Sequence, residues 1–510
     1  MVRFKWSIAM SSRTYKTSYY NFYIPVPEKD CYLLYNSRTN GLVEMKPEEA
    51  RQLIRWSKLD EVPSGELRCF GQDAVDSLIE SSFIVNSRLD EKELIHKRIV
   101  GQRRASYRNA SFELTITPTL SCNMGCPYCF EGPKPYRNFM NEETIDDIVQ
   151  FMEREIQHSR IVESFGKIRV TWYGGEPLLR PEVIERLSSK ILVLQEKYEI
   201  EYEANCVTNG LLLTPENWAI LERARVSSVQ VTIDGYKDTH DTLRPLLPMY
   251  GSDDQGNYDK ILDNLSALSQ SAPVRVAIRI NCDKNIMKHI DLFFDDLETR
   301  GIWPQRREQF SMYLAHKTLP PDGLPVDEIS DYYSSREFGK QVDQFSLLML
   351  DRYNRWAEKN RKQRARIRMN LPKPAAFLCG SASLPYSIVL DSAGYVHQCW
   401  EHVNHNTTRA HHISEPYDLQ HPRRSLFVHW DKFMQNPMCR DCKILPVCNM
   451  ACPHLDPPDA CPDIRWSLPD RLKSQYLMTK DTPEQIQSFE EFDNDLQDTY
   501  SLSVKCDEIN

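Results

Sequence analysis

The chain has 510 residues, 41% apolar and 26% charged, with a formal net charge of −9 at pH 7, enough for two or three domains with substantial cores. Dispersed negative charge is the opposite of a nucleic-acid footprint, and no apolar run reaches the ~18 residues of a membrane span, so neither nucleic acid nor membrane is expected as a partner. The start, Met1 to Met10, shows no clear signal peptide, which makes a cytoplasmic location the default expectation.

Residues up to about 18 are polar and basic and are expected to be poorly ordered. Tyr19–Val26, Cys31–Tyr35 and Gly41–Met45 read as three short strands, separated by turn-rich pieces such as Asn36–Gly41. Pro47 opens a helix to about Trp56, with Glu48 and Glu49 in its first turn. A second helix spans about Gln72 to Glu80, the apolar piece Phe83–Val85 follows, and Asp90 caps a helix over Glu91–His96. The basic stretch Arg98–Arg108 reads as a link. Residues 1–109 thus predict a small α+β or winged-helix unit. Its pattern is similar to the peptide-recognition element fused to many peptide-modifying enzymes. That resemblance implies that a precursor peptide's leader docks here as an added β-strand; a plain structural cap is the alternative.

Over 110–322 the pattern is strand then helix, repeated. Candidate strands are Phe112–Thr117, Ile168–Tyr173, Tyr202–Thr208, Ser228–Ile233, Val274–Asn281 and Phe310–Leu314. Helical stretches between them include Glu142–Ile156, Pro181–Lys197, Pro215–Ala224 and Tyr258–Ser269. Six βα units predict a parallel α/β sheet, and the pattern leaves both an incomplete barrel and an open doubly wound sheet open. In the connector 323–378, Val342, Phe345, Met349, Tyr353 and Trp356 mark an amphipathic helix, followed by a solvated basic run, Lys359–Arg368. A cysteine-rich segment fills 379–470, and 471–510 is a polar tail in which Pro483–Asp498 reads as an acidic helix.

Fifteen cysteines in a reducing compartment read as metal ligands rather than disulfides. Five are scattered (Cys31, Cys69, Cys206, Cys282 and Cys506) and read as small buried hydrophobes. Cys122, Cys126 and Cys129 follow C-x3-C-x2-C on the loop after the first αβ strand. Three thiolates this close can converge on one inorganic centre and leave a metal position open. Gly125 allows the tight turn and Pro127 stiffens it; a zinc loop with a distant fourth ligand is the alternative. Gly174-Gly175-Glu176-Pro177 closes the second strand: the glycines permit close approach to a ligand, and Glu176 offers a carboxylate or carbonyl to an ammonium. Thr208-Asn209-Gly210 ends the third strand, Thr232-Ile-Asp234-Gly235 the fourth, with His240, Asp241 and Arg244 beyond it, and Asn281 ends the fifth.

In this strand order, the residues resemble the radical S-adenosylmethionine (SAM) superfamily, with Tyr128 as the usual aromatic before the last cysteine. The resemblance implies an incomplete (β/α)6 barrel. It also implies that Cys122, Cys126 and Cys129 bind a 4Fe–4S cluster whose fourth iron chelates SAM, which is cleaved to a 5′-deoxyadenosyl radical. Gly174, Gly175, Glu176 and Pro177 would form the SAM amino-group site. Thr232 and Arg244 would hold its carboxylate, which suits a planar guanidinium. Tyr128, Thr208, Asn209 and Asn281 complete the expected cofactor-binding set.

Farther on, Cys379 is followed after 14 residues by Gly394 and after four more by Cys399; then come Cys439-x2-Cys442-x5-Cys448-x3-Cys452 and Cys461. This pattern resembles the seven-cysteine SPASM domain, which carries two auxiliary 4Fe–4S clusters. The resemblance gives Cys379, Cys399 and Cys452 to the first, with an open iron or a non-cysteine ligand, and Cys439, Cys442, Cys448 and Cys461 to the second. One or two zinc ribbons are the alternative. His397, His402, His405, His411, His412, His421 and His429 are irregularly spaced and read mostly as polar surface or hydrogen-bonding residues, with His397 and His402 flanking Cys399.

From about Asn21 to Cys461 the resemblance implies a radical SAM/SPASM peptide maturase. Its expected cofactors are SAM and three 4Fe–4S clusters; its partners are a ribosomally made precursor peptide and an electron donor such as flavodoxin or ferredoxin. The expected reaction is hydrogen abstraction followed by an oxidative cross-link, a thioether or a carbon–carbon cyclophane. The runners-up are an anaerobic sulfatase-maturing, formylglycine-generating enzyme and a peptide epimerase, with a zinc-binding scaffold as the non-enzyme. Sulfatase-maturing enzymes carry an acid right after the cysteine matching Cys399; here Trp400 stands there and Glu401, the one catalytic candidate, follows it.

Overall fold

The computed structural model describes residues 14–480, apart from 68–69, 109–110, 132–138, 159–165, 252–255, 271, 318–330, 366–368, 375–385, 398, 404–408, 417–435 and 449–460. The chain begins in a short strand, β1 (Tyr15–Thr17), followed by an antiparallel sheet of β2 (Asn21–Val26), β3 (Cys31–Asn36) and β4 (Gly41–Met45). Helices Pro47–Trp56 and Gln72–Glu80 bury Leu53, Trp56, Val75 and Leu78 in a core shared with Leu34 and Phe83.

Two expectations change in this unit. Tyr15–Thr17 is ordered because it pairs antiparallel with β5 (Ile84–Asn86), a partner distant in sequence. The basic stretch expected as a link is instead the second half of one 18-residue helix, Glu91–Arg108. Asp90 Oδ1 accepts from Glu93 N at 3.0 Å at its start, and the Lys, Arg and Gln residues that follow have good helix propensity.

Six parallel strands follow: β6 (Phe112–Ile116), β7 (Lys167–Trp172), β8 (Glu201–Thr208), β9 (Val226–Thr232), β10 (Arg275–Cys282) and β11 (Phe310–His316). They lie side by side in sequence order, as in a partial barrel. In β6 and β7 every second residue is buried, so Phe112, Leu114 and Ile116 share a core with Ile168, Val170 and Trp172. The sheet does not stop at the six strands. β12 (Ser387–Leu390) adds parallel to β6, and β13 (Val396–His397) adds antiparallel to β12, so part of the cysteine-rich segment belongs to the main sheet.

The amphipathic helix expected in the connector is Ser335–Lys359, opened by a capping box between Ser334 and Glu337. The segment after Leu468 is not simply a polar tail. Helix Ile464–Lys480 buries Leu468, Leu472 and Tyr476 against residues of β2 and β3, their four-residue spacing making one apolar stripe. Tyr476 donates to Glu44 Oε2 at 2.6 Å, and Arg471 Nε to Asp343 Oδ1 at 2.9 Å. The acidic helix expected over 483–498 lies outside the described residues. Among the described residues no helix is long and apolar enough to cross a membrane.

Candidate active site

Parallel strands gather their carboxyl ends on one edge of the sheet, where loops can bring polar groups together. The cysteine loop leaves β6 there and is stitched down on two sides. Gly175 N donates to Thr119 O at 3.2 Å and Glu176 N to Ser121 O at 2.9 Å, joining it to the exit of β7. Gly125 N donates to Pro245 O and Leu247 N to Asn123 O, both at 2.8 Å, joining it to the segment beyond Arg244. Cys122 is buried, whereas Cys126 and Cys129 are half-buried. Gly174 and Gly175 make room for this loop as well as for any ligand. A Cβ on Gly174, at φ +114°, would stand 2.4 Å from Thr119 O, and one on Gly175 would stand 2.3 Å from Ser121 O.

Glu176 is fully buried. Its carboxylate accepts from Leu178 N at 3.0 Å, from Thr208 Oγ1 at 2.8 Å and from Asn209 N at 2.8 Å. Burial raises its pKa to about 6 against those donors and the pull of Arg244. Of the two groups expected to meet an ammonium, the carboxylate is thus engaged inside the protein. Asn209 extends the network to the cysteine loop, donating from Nδ2 to Asn123 Oδ1 at 2.6 Å and lying 3.8 Å from Cys122 Sγ.

On the other side of the loop, the Tyr128 hydroxyl donates to Asp234 Oδ2 and accepts from Arg244 Nη1 at 2.7 Å. Asp234 Oδ1 accepts from Asn281 N at 3.2 Å, and Asp234 N donates to His240 Nδ1 at 3.1 Å. Burial drives the Tyr128 pKa well up and that of His240 well down. Burial alone would lower the Arg244 pKa, but Cys126, Tyr128 and Asp234 hold it well above the ordinary value. Its Nε is buried with no hydrogen-bond partner among the described residues, a cation with a donor free for an anionic group. Thr232 and Asn281 are nearly buried at the ends of β9 and β10.

The sequence reading missed a buried ion pair here: Lys317 Nζ lies 2.8 Å from Asp283 Oδ2 and 4.7 Å from the centroid of the Tyr128 ring. A lysine just past the sixth strand, with an aspartate just past the fifth, was the available signal.

Across the mouth, Tyr173 stacks on Trp400 at 5.7 Å and 24°. Glu401 follows on the exposed side, its pKa raised by partial loss of water and drawn back by Arg279. Cys399 is buried just before Trp400, and His397 is fully buried with Nε2 3.0 Å from Asp391 Oδ2. Cys439, Cys442 and Cys448 pack on one apolar cluster, and Arg465 Nη1 donates to Cys461 Sγ at 2.7 Å. Cys439 is electrostatically coupled to Cys442, Cys461 and Arg465, with burial the main cause of its raised pKa. Among the described residues no three His, Cys, Asp or Glu side chains converge on a single ion, as thiolates do about 2.3 Å from one zinc. Cys379, Cys452, His405, His421, His429, Cys69 and Cys506 lie outside the described residues; Cys31, Cys206 and Cys282 are buried.

A cysteine loop and Gly-Gly-Glu-Pro turn at the strand ends of a parallel sheet define a radical SAM domain, and residues 116–286 match the radical SAM superfamily. Residues 116–286 thus form a radical SAM domain, which implies SAM and a 4Fe–4S cluster. The chain is 23% identical over 353 residues to a serine-type anaerobic sulfatase-maturating enzyme of Bacteroides thetaiotaomicron, covering 65% of this chain and 80% of the relative. It is 27% identical over 169 residues to the sporulation killing factor maturation protein SkfB of Bacillus subtilis, covering 33% of this chain and 35% of that protein. Among solved structures it is similar to Streptococcus suis SuiB bound to precursor peptide SuiA, with 14% identity, a TM-score of 0.45 and coverage of 86% of this chain and 95% of SuiB.

Proposed function

We propose that this enzyme is a peptide maturase of the radical SAM/SPASM type that installs an oxidative cross-link in a ribosomally made precursor. The carrying observation is that the loop bearing Cys439, Cys442 and Cys448 is bonded to the N-terminal unit, Tyr19, Ser37 and Arg98 donating to Asp441 O, Lys443 O and Pro446 O, with the three cysteines packed on an apolar cluster of Tyr20, Ile95, Ile99 and Leu445. A second thiol set is thereby fixed to the unit that carries the edge-strand sheet. The sulfatase-maturating and killing-factor-maturation relatives support a polypeptide substrate.

When bound, SAM and three 4Fe–4S clusters, charged by a flavodoxin- or ferredoxin-like donor, would supply a 5′-deoxyadenosyl radical and a sink for the electron released on cross-linking. Cys122, Cys126 and Cys129 would hold the first cluster. Cys379, Cys399 and Cys452 would hold the second, and Cys439, Cys442, Cys448 and Cys461 the third. Arg244, with its free buried Nε, suits the SAM carboxylate. With the Glu176 carboxylate engaged, backbone groups of Gly174 to Glu176 would receive the ammonium. β4 is an edge of its sheet with Val43 exposed, a place for a leader to add as a strand.

One observation favours a second reading. Glu401, one residue beyond Trp400, is exposed and within electrostatic reach of Arg279, and would be the general base of formylglycine chemistry.

Anaerobically reconstituted protein should hold about 12 irons, from three four-iron clusters, and should lower the mass of a cognate peptide by two units per linkage in the presence of SAM and a reductant. Stoichiometric zinc without iron would sink the proposal. A mass-neutral change carrying one solvent deuterium would replace cross-linking with epimerisation.

A further inference from the structure

Beside the half-buried Cys439 and Cys442, the N-terminal unit and the cysteine loop present one charged, aromatic patch. Tyr19, 36% exposed, donates from Oη to Asp441 O at 2.5 Å. Lys92 Nζ lies 4.8 Å from the centroid of its ring and Lys443 Nζ 5.6 Å. Asp441 Oδ1 is 2.5 Å from Lys92 Nζ and 4.0 Å from Arg440 Nε. Met438, 42% exposed, directly precedes Cys439. Partial loss of water raises the pKa of the Tyr19 phenol, and the charges of Lys92, Asp441 and Cys442 all reach it, so the patch and the thiol are neighbours.

The composition of this patch suits a protein partner. On a chain of net charge −9, Lys92, Arg440 and Lys443 outnumber the Asp441 carboxylate beside them. Farther along the Lys92 helix, His96 and Lys97 share Glu93. Exposed ion pairs of this kind contribute little to stability, so the cations can re-pair with an incoming acidic face. Tyr, Met and Arg are the side chains enriched where proteins dock. Electron tunnelling falls steeply with distance, so a carrier exchanges electrons where a redox centre nears the surface, as half-buried cysteines do here.

We propose that this patch is the docking surface of a small one-electron carrier protein with an acidic face, with Tyr19 and Met438 at its centre and Lys92, Arg440 and Lys443 as its cationic rim. The inference rests on the reading of Cys439, Cys442, Cys448 and Cys461 as cluster ligands. One electron crosses here: the reduced cluster returns to its oxidised state, the carrier is reduced, and no bond in the enzyme forms or breaks. The unit proposed to receive a leader peptide thus also supplies Tyr19 and Lys92 to the carrier's seat.

The test uses the anaerobically reconstituted full chain and a flavodoxin. Equilibrium binding is measured, and electron transfer from the dithionite-reduced, desalted protein is followed by stopped flow at the flavin, which gains one electron and a solvent proton. Affinity and second-order rate should both fall as salt rises, because screening weakens attraction between opposite charges. Lys92→Glu with Arg440→Glu should lower the low-salt rate about tenfold or more and flatten its salt dependence, with iron content unchanged. Arg440→Glu alone gives up only the 4.0 Å contact and should show the same change in smaller measure. Lys197→Glu with Arg223→Glu makes the same change in net charge on exposed barrel-helix positions and should match the parent. Parent affinity, rate and salt dependence in both patch variants would overturn the inference and leave the surface to another occupant, such as an acidic leader. Loss of iron from both would give these cations a structural role and overturn it as well. If Cys439→Ala with Cys442→Ala removes no iron, the ligand reading itself fails; if it removes iron without slowing transfer, the docking inference fails while that reading stands.

Discussion

Arg244 and Tyr128 meet over a 2.7 Å hydrogen bond from Nη1 to the phenol oxygen, and the same phenol donates to buried Asp234. One hydroxyl thus sits between a cation and an anion, tying the cysteine loop to the segment beyond β9. Tyr128→Phe would leave Asp234 Oδ2 and Arg244 Nη1 without this partner, a loss of about 1–3 kcal/mol. Since ~1.4 kcal/mol is tenfold, SAM affinity should fall about tenfold or more while the three cysteines retain their iron. Anaerobic equilibrium binding beside iron analysis checks this; parent-like affinity would separate Tyr128 from the SAM site.

Gly174 and Gly175 make a steric prediction. Their added methyls would meet the backbone carbonyls of Thr119 and Ser121 at 2.4 and 2.3 Å, and backbone cannot swing aside as a side chain can. Overpacking of this kind costs about 1–3 kcal/mol, with a further ~1–2 kcal/mol at the positive φ of Gly174. Gly174→Ala and Gly175→Ala should each lower the thermal midpoint of the iron-free protein. Gly101→Ala, in a helix with nothing within 4 Å of its Cβ, should hold or raise it.

The contrast between local and distant pairing explains what the sequence disclosed. β6 to β11 were legible because alternation and turn residues are local signals, and the cysteine loop was legible because its three thiols lie within eight residues. β12 was not: Ser387–Leu390 is four buried residues that become a strand through pairing with β6, more than 250 positions earlier. Tyr15–Thr17 depends in the same way on Ile84–Asn86. At the site, Gly-Gly-Glu-Pro was readable as a motif, but that its glycines admit Thr119 and Ser121, and that Thr208 and Asn209 engage the Glu176 carboxylate, follows from the fold alone.

Glu176 predicts a pH dependence with a definite sign. Its folded pKa of about 6 lies above the ordinary 4.5 because burial disfavours the carboxylate. A raised folded pKa stabilises the fold fully below the unfolded value, and that contribution is lost as pH rises through the folded value. At 1.36 kcal/mol per unit, a rise of about 1.5 units corresponds to about 2 kcal/mol. The stability difference between parent and Glu176→Gln should therefore shift against the parent by about that amount from pH 4.5 to above 6, then level off. Denaturant midpoints of the iron-free proteins across this window give the curve; a flat difference would remove Glu176 as its source.

Lys317 and Asp283 should behave as one unit. Their side chains are each 5% exposed and 2.8 Å apart. Asp283 Oδ1 also accepts from Asn285 N at 3.0 Å and Ile286 N at 2.8 Å, starting helix Lys284–Lys288. The ammonium lies 4.7 Å from the centroid of the Tyr128 ring and 4.9 Å from that of Tyr332, so it also braces the residue between Pro127 and Cys129. Lys317→Met would strand a buried carboxylate, at a cost of about 3–5 kcal/mol. Pairing it with Asp283→Asn removes the stranded charge and keeps an oxygen for the helix start. The double variant should therefore be more stable than Lys317→Met alone, by a coupling of about 1–3 kcal/mol. Urea midpoints of the four iron-free proteins complete the cycle, and strictly additive losses would show that the pair does not act as a unit.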